Sequence, residues 1–201
     1  MLRTCLFDMG NVLVFFSHDQ MCEQMGRLCG LSGSEIQRLL IESGRQWDYE
    51  RGWLNPAQFH DWFRKVTGAE VGLPDLIQAS SDIFQLNEPI VPILDRLKER
   101  GLRLVLLSNT CQTHFEWVRD HFDVLQRFDG FVTSYQAGAI KPEPAIFRAA
   151  LDQIGCAPHE CFYTDDIATY VHAGREFGLQ AETFIGVPDL IEQLRGLGTN
   201  V

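Results

Sequence analysis

The chain contains no Cys-x-x-Cys pair, no uninterrupted apolar run of bilayer-spanning length, no internal repeat and no low-complexity tract. Without cysteines paired at ligand spacing, Cys5, Cys22, Cys29, Cys111, Cys156 and Cys161 read as isolated thiols, not as a disulfide framework or a zinc site. Cys22 and Cys29 fall on one expected helix, where a shared face signifies packing. The lack of a long apolar run leaves no candidate membrane span. Basic residues are also scarce, with 17 Lys and Arg against 27 Asp and Glu and a formal net charge of -10. A field of that sign disfavours nucleic acid or an anionic membrane as the main partner, while a small ligand in one local positive pocket stays compatible. The apolar opening MLRTCLFDMGNVLVFF is interrupted by Asp8 and followed by no small-residue cleavage site, so the protein is read as cytoplasmic.

What is present is a globular composition. At 201 residues, 45% hydrophobic and 22% charged, the chain has material for one well-buried α/β core and a small insert, but not for two full-sized domains. The apolar pattern switches period along the chain. Short β-rich runs fall at 4–8, 103–108, 130–133, 161–164 and 181–185, and helix-spaced Leu, Ile, Phe and Val fall at 90–100, 113–121, 144–154, 169–177 and 188–194. Alternating strands and helices imply an α/β fold, a Rossmann-like parallel sheet with helices on both faces.

The alternation is broken once. From about residue 19 to 85 no strand signal occurs, and helical stretches at 19–29, 34–43, 56–67 and 74–84 replace it. This predicts an all-helical segment, 17–87, inserted after the first strand of a core formed by 1–16 and 88–201. Trp47, Trp53, Phe59, Trp62 and Phe63 make the insert aromatic, and they read first as its own small core, with one or two left to face a ligand.

Chemistry-bearing residues cluster at the ends of the β-rich runs. Asp8 ends the first, Ser108-Asn109-Thr110 the second, and Asp165-Asp166 the fourth, while Lys141 follows the third in AIKPEP. Each has a plain structural reading, since Ser-Asn caps helices, a lone Lys is usually solvated and an Asp pair is usually a loop. In an open parallel sheet, however, ligands sit outside the carboxyl ends of the strands. One edge would then collect a carboxylate, two neutral donors, an ammonium and a carboxylate pair. That set suits phosphoryl transfer: an Asp attacks phosphorus, Mg²⁺ takes carboxylate and carbonyl oxygens, and a Lys with neutral donors neutralises the equatorial oxygens.

The strings FDMGNV, LLSNT, IKPEP and FYTDD, in this order, resemble the four motifs of the haloacid dehalogenase (HAD) superfamily. The helical insert resembles that superfamily's C1-type cap, and the wording is most similar to the branch holding sugar-1-phosphate phosphatases and the N-terminal phosphatase domain of soluble epoxide hydrolases. The resemblance implies a hydrolase of a small phosphorylated metabolite, with Asp8 as nucleophile and phosphate bound by Ser108, Asn109 and Lys141. It further implies Mg²⁺ held by Asp8, the Gly10 carbonyl and Asp166, with Asp165 supporting the shell. Two positions depart from the pattern. Gly10 stands where the superfamily usually has a second Asp acting as general acid, a role typically worth about 10²–10⁴-fold. Tyr170 stands near a position often held by Asn.

His18 and His114 are candidate replacement acids, although such residues are more often exposed or bonded locally. A 2-haloacid dehalogenase is the alternative enzyme, since halide leaves without a proton, but the Asp165-Asp166 pair would then repel itself and a carboxylate substrate. A non-catalytic module binding a phosphorylated ligand is the alternative outside enzymology. The reading predicts that Lys141→Ala abolishes turnover and leaves the fold intact, and that Gly10→Asp speeds cleavage of alkyl esters.

Overall fold

The computed structural model describes residues 1–199. Five strands, β1 (Thr4–Phe7), β4 (Arg103–Ser108), β5 (Gly130–Thr133), β6 (Cys161–Asp165) and β7 (Gln180–Thr183), form one sheet in the order β5-β4-β1-β6-β7. All four pairings are parallel. The three central strands, β4, β1 and β6, are buried on both faces because their alternate side chains feed opposite clusters. Cys5, Phe7, Leu104, Leu106 and Phe162 pack on one side. Leu6, Val105, Leu107, Tyr163 and Ala181 pack on the other, under the helices Pro144–Ile154 and Ala168–Glu176.

The remaining strands, β2 (Val14–Phe16) and β3 (Phe84–Leu86), form a separate antiparallel ladder pairing Val14 with Leu86 and Phe16 with Phe84. Between them the chain is helical. The Asn87 side chain donates to the Val12 carbonyl (2.7 Å) and its N–H to the Leu13 carbonyl (2.9 Å), closing the neck of this excursion. Local signals set its helices. Ser17 caps His18–Cys29, Asn55 and Gln58 form a capping box with Pro56 at the start of Pro56–Thr67, and Gly68 ends that helix in the left-handed conformation (φ 70) that a side chain would resist. Met21, Met25, Ile36, Leu40, Phe59 and Phe63 give the excursion its own apolar cluster.

Several expected elements are revised here. The helix expected over 74–84 stops at Ser81, and Phe84 instead pairs in β3, its ring 6.1 Å from that of Phe16. The expected 34–43 helix is a short α-helix, Gly33–Gln37, followed by a wider π-helical turn, Arg38–Glu42. A six-residue helix, Arg45–Glu50, was not anticipated. The aromatic core is also smaller than expected: Phe59 and Phe63 are buried, but Trp53 is 65% exposed and Trp47 turns toward the cleft beside the sheet edge. All six cysteines are free.

Candidate active site

β1 is the switch point of the sheet, paired with β4 on one side and β6 on the other, so the residues just past its end meet those past the ends of both neighbours. Phe7 pairs with Leu106 and with Thr164, which sets Asp8 beside Leu107 and Asp165. The ligand atoms of Asp8, Asp165 and Asp166 all lie within 4.8 Å of one another.

Lys141 enters this group from the loop before the helix Pro144–Ile154. Its Nζ lies 2.9 Å from Asp8 Oδ1 and 2.5 Å from Asp165 Oδ2, and donates to the Leu107 carbonyl at 2.9 Å, so all three ammonium protons are directed. The side chain is 1% exposed. Burial alone would lower its pKa, but Asp165 and Asp8 outweigh that and hold the ammonium above the usual lysine range.

Asp165 is completely buried, and both of its oxygens are occupied. Oδ2 accepts from the Tyr163 hydroxyl (2.6 Å) as well as from Lys141, and Oδ1 accepts the Ile167 N–H (2.9 Å). Asp8 and Asp166 are less committed. Burial, with the nearby Asp165 charge adding to it, pushes the Asp8 carboxyl up to about 7 against the pull of Lys141. Burial likewise raises Asp166, whose Oδ2 accepts from Asn11 Nδ2 at 2.9 Å and which remains part-exposed at the cleft. Burying several charges costs several kcal/mol per ion, and apolar residues of similar volume are often more stable. The cluster therefore answers a chemical need, not a folding need.

The other residues singled out from the sequence are distributed as follows. Asn109 accepts the Lys141 N–H on Oδ1 (2.7 Å) and donates Nδ2 to the Lys141 carbonyl (3.2 Å), a two-way clasp that fixes the lysine loop. Ser108 is buried, with its hydroxyl 3.5 Å from the Asn109 carbonyl, and is not among the residues lining the cleft. Thr110 does line it. Tyr170 places its ring 5.3 Å from Lys141 Nζ, within cation–π range.

Gly10 lines the cleft near Asp8, and a Cβ built on it would lie 2.7 Å from Phe16 Cε1. The ring of Phe16 thus fills the space into which a side chain at residue 10 would project. The expectation that Gly10→Asp speeds turnover is revised for this reason: φ is not positive there, but the aromatic ring stands in the way. His18 and His114 both line the cleft. Burial lowers the pKa of each, and His114 Nε2 lies 3.0 Å from the Ser80 carbonyl.

Sequence reasoning missed one functional candidate. Glu50, the last residue of the unanticipated helix, is 6% exposed and lines the same cleft as Asp8 and Lys141. Its signal was faint: Gln46, Tyr49 and Glu50 mark one buried face at helical spacing, but a six-residue helix is too short for periodicity to stand out.

The carboxylate cluster fits a divalent cation by its donor chemistry. It offers hard oxygens from Asp8 and Asp166 and an excess of carboxylates over the one ammonium. Asp165, with both oxygens engaged, holds Lys141 in place and supports the site from behind.

A family model described as haloacid dehalogenase-like hydrolase matches residues 2–178. The D-ribitol-5-phosphate phosphatase of Bacteroides thetaiotaomicron is 26% identical over 193 residues, covering 92% of this chain and 91% of that protein. A crystal structure of a HAD family enzyme from Bacteroides thetaiotaomicron, in complex with magnesium and inorganic phosphate, superposes with a TM-score of 0.77 at 27% identity, covering 91% of this chain and 94% of the other. A HAD-like hydrolase structure from Porphyromonas gingivalis shares the fold, with a TM-score of 0.83 at 22% identity over 97% of this chain and 98% of that one.

Proposed function

Because this chain belongs to the haloacid dehalogenase-like hydrolase family, we propose that it is a Mg²⁺-dependent phosphatase that hydrolyses a small phosphorylated metabolite through an aspartyl phosphate on Asp8. The observation that carries this reading is the convergence of Asp8, Lys141, Asp165 and Asp166 past the ends of neighbouring parallel strands.

Asp8 carries the nucleophilic oxygen. Asp8, Asp166 and the Gly10 carbonyl would hold Mg²⁺, which would neutralise the negative charge that gathers in the site. Lys141, held by Asp165 and the Leu107 carbonyl, points a fixed positive charge at the place where the phosphoryl oxygens gather charge. Asn109 keeps the Lys141 backbone in register, and Ser108 stands behind it at the end of β4. The phosphoryl group passes from the ester oxygen to Asp8, and water then releases it as inorganic phosphate.

The helical excursion, 17–87, acts in this reading as the cap that covers the cleft; its Trp47 and Phe84, with Phe16 just before it, supply apolar lining. The matching phosphatases and the magnesium–phosphate complex of a relative support the metal-dependent reading. Dehalogenation is disfavoured by the carboxylate cluster, which without a cation would repel a carboxylate substrate. A phosphorylated-metabolite screen with and without Mg²⁺ tests the proposal. Phosphate release that needs Mg²⁺ and vanishes in Asp8→Asn is the expected result, whereas Mg²⁺-independent halide release from a 2-haloacid would contradict it.

A further inference from the structure

Gly10 has no side chain to give a proton, and the Phe16 ring lies where one would project, so the proton that an alkoxide leaving group needs must come from another part of the cleft. Beyond Asp8, Asp166 and Lys141, four titratable side chains line the cleft: His18, His114, Tyr170 and Glu50. Tyr170 packs its ring against Lys141, and burial raises its hydroxyl above the usual tyrosine range, which makes it a weak proton donor. The two histidines are poor donors. His114 Nε2 faces the Ser80 carbonyl, which only accepts, so its proton is already directed there and Nδ1 is left as an acceptor. His18 packs edge-on against Phe16, with ring centroids 5.0 Å apart, and burial keeps it toward the neutral form.

Glu50 is placed differently. The segment that carries it is fastened to the core at successive residues. The Tyr49 hydroxyl lies 3.0 Å from Thr113 Oγ1, the Glu50 carbonyl accepts from Ser134 Oγ at 2.6 Å, and Arg51 Nη2 pairs with Glu143 Oε1 at 2.5 Å. Gly52 continues the docking, since a Cβ there would run into the Tyr135 carbonyl. Ser134 Oγ also accepts the Thr110 N–H at 2.8 Å, so one hydroxyl ties the Glu50 backbone to the loop that follows β4. Between these anchors Glu50 lines the cleft, nearly buried. Oε1 accepts from Gln46 Nε2 at 3.0 Å, and no cation is within ion-pair distance of it among the described residues.

We propose that Glu50, delivered by the helical insert, is the general acid that protonates the leaving group, in place of the side chain that Gly10 lacks. The proposal rests on the phosphatase reading. As the bond from Asp8 to phosphorus forms and the ester P–O bond breaks, the Glu50 proton passes to the departing oxygen, which leaves as a neutral alcohol. Glu50 is then a carboxylate. It accepts a proton from the water that attacks the aspartyl phosphate, the Asp8–phosphorus bond breaks, and inorganic phosphate leaves with Glu50 neutral again.

The charge environment suits this cycle. Burial pushes the Glu50 carboxyl above its ordinary value, while the Gln46 hydrogen bond and the charges of Lys141 and Arg51 pull it part of the way back; His114, which also faces it, is kept toward the neutral form by its own burial. Tyr170 and Cys111 also face it and are themselves held neutral by burial. Because the acid must carry its proton, the rate on alkyl esters should fall as pH rises through the Glu50 ionisation.

Glu50→Gln is the test, read on butyl phosphate and p-nitrophenyl phosphate with Mg²⁺. The alkyl ester should slow by about 10²–10⁴-fold, and the falling limb of its pH profile should disappear. Phosphorylation of Asp8 by the aryl ester should slow far less, so aspartyl phosphate should accumulate as a burst. Glu50→Asp should recover part of the alkyl rate. An unchanged alkyl rate with the same pH limb in Glu50→Gln would overturn the assignment. Should the variant not fold, Glu50→Asp decides together with the wild-type dependence on leaving-group basicity: a shallow wild-type dependence that steepens in Glu50→Asp supports Glu50, and a steep wild-type dependence, or one unchanged in Glu50→Asp, refutes it. Absence of any Asp8 phosphorylation in wild-type protein would instead overturn the phosphatase reading beneath it.

Discussion

At the carboxyl edge of the sheet, Asp8 and Asp165 are held by parallel ladders on both sides of β1 and β6, and their positions follow from backbone pairing. In the insert, Glu50 ends a short helix that is fastened by contacts around it: the Tyr49 hydroxyl to Thr113, the Glu50 carbonyl to the Ser134 hydroxyl, and Arg51 to Glu143. The same cleft is therefore built from a rigid half, where Asp8 and Lys141 sit, and a docked half, which brings the candidate proton donor and the apolar wall. In the proposed reading, chemistry common to any phosphate ester belongs to the rigid half and leaving-group chemistry to the docked half.

Breaking the rigid half should have the largest effect. Lys141 is buried with three partners, so Lys141→Ala leaves Asp8 and Asp165 facing each other without their counter-charge. Turnover should vanish for alkyl and aryl esters alike, and stability should fall by about 3–5 kcal/mol in urea unfolding. This replaces the sequence-based expectation of an intact fold, because nothing in the sequence placed the lysine 1% exposed. Normal turnover in this variant would remove Lys141 from the site.

A smaller loss is expected at the junction of the halves. Gly10→Asp meets the Phe16 ring and should cost about 1–3 kcal/mol without raising the alkyl rate. Adding Phe16→Ala should open the space and let the new carboxyl act, which kinetics on butyl phosphate would register. A rate gain in the single variant would show that the ring moves aside freely.

Loosening the docked half should change the balance between substrates more than stability. Tyr49→Phe removes the Thr113 partner and should cost about 1 kcal/mol, while lowering the ratio of alkyl to aryl turnover. Arg51→Ala should cost less, about 0.2–1 kcal/mol, because the Arg51–Glu143 pair is partly open to solvent. Equal loss on both substrates in Tyr49→Phe would mean that the docking contact does not position the proton donor.

The same contrast explains what the sequence revealed. The core strands could be read because each is a short β-rich run, the central three buried on both faces, and the site residues stand at their ends; Asp8, Lys141, Asp165 and Asp166 were all nominated. Glu50 was not. It lies on a helix of six residues, and its closeness to Lys141 depends on tertiary contacts that no local spacing encodes. The β2–β3 ladder was missed for a related reason: strands of three residues pair across the whole insert, and Phe84 at helical spacing looked like the end of a helix. The Phe16 ring over Gly10 belongs to the same class of contact, visible only once β2 has folded back beside the loop after β1.

The central claim is that Asp8 carries the phosphoryl group. Rapid acid quench during turnover of p-nitrophenyl phosphate with Mg²⁺, followed by peptide mass spectrometry, tests it directly. One added phosphoryl group is expected on the peptide containing Asp8, at a higher level in Glu50→Gln and none in Asp8→Asn. Phosphate release without any phosphorylated Asp8, or at an unchanged rate in Asp8→Asn, would contradict it.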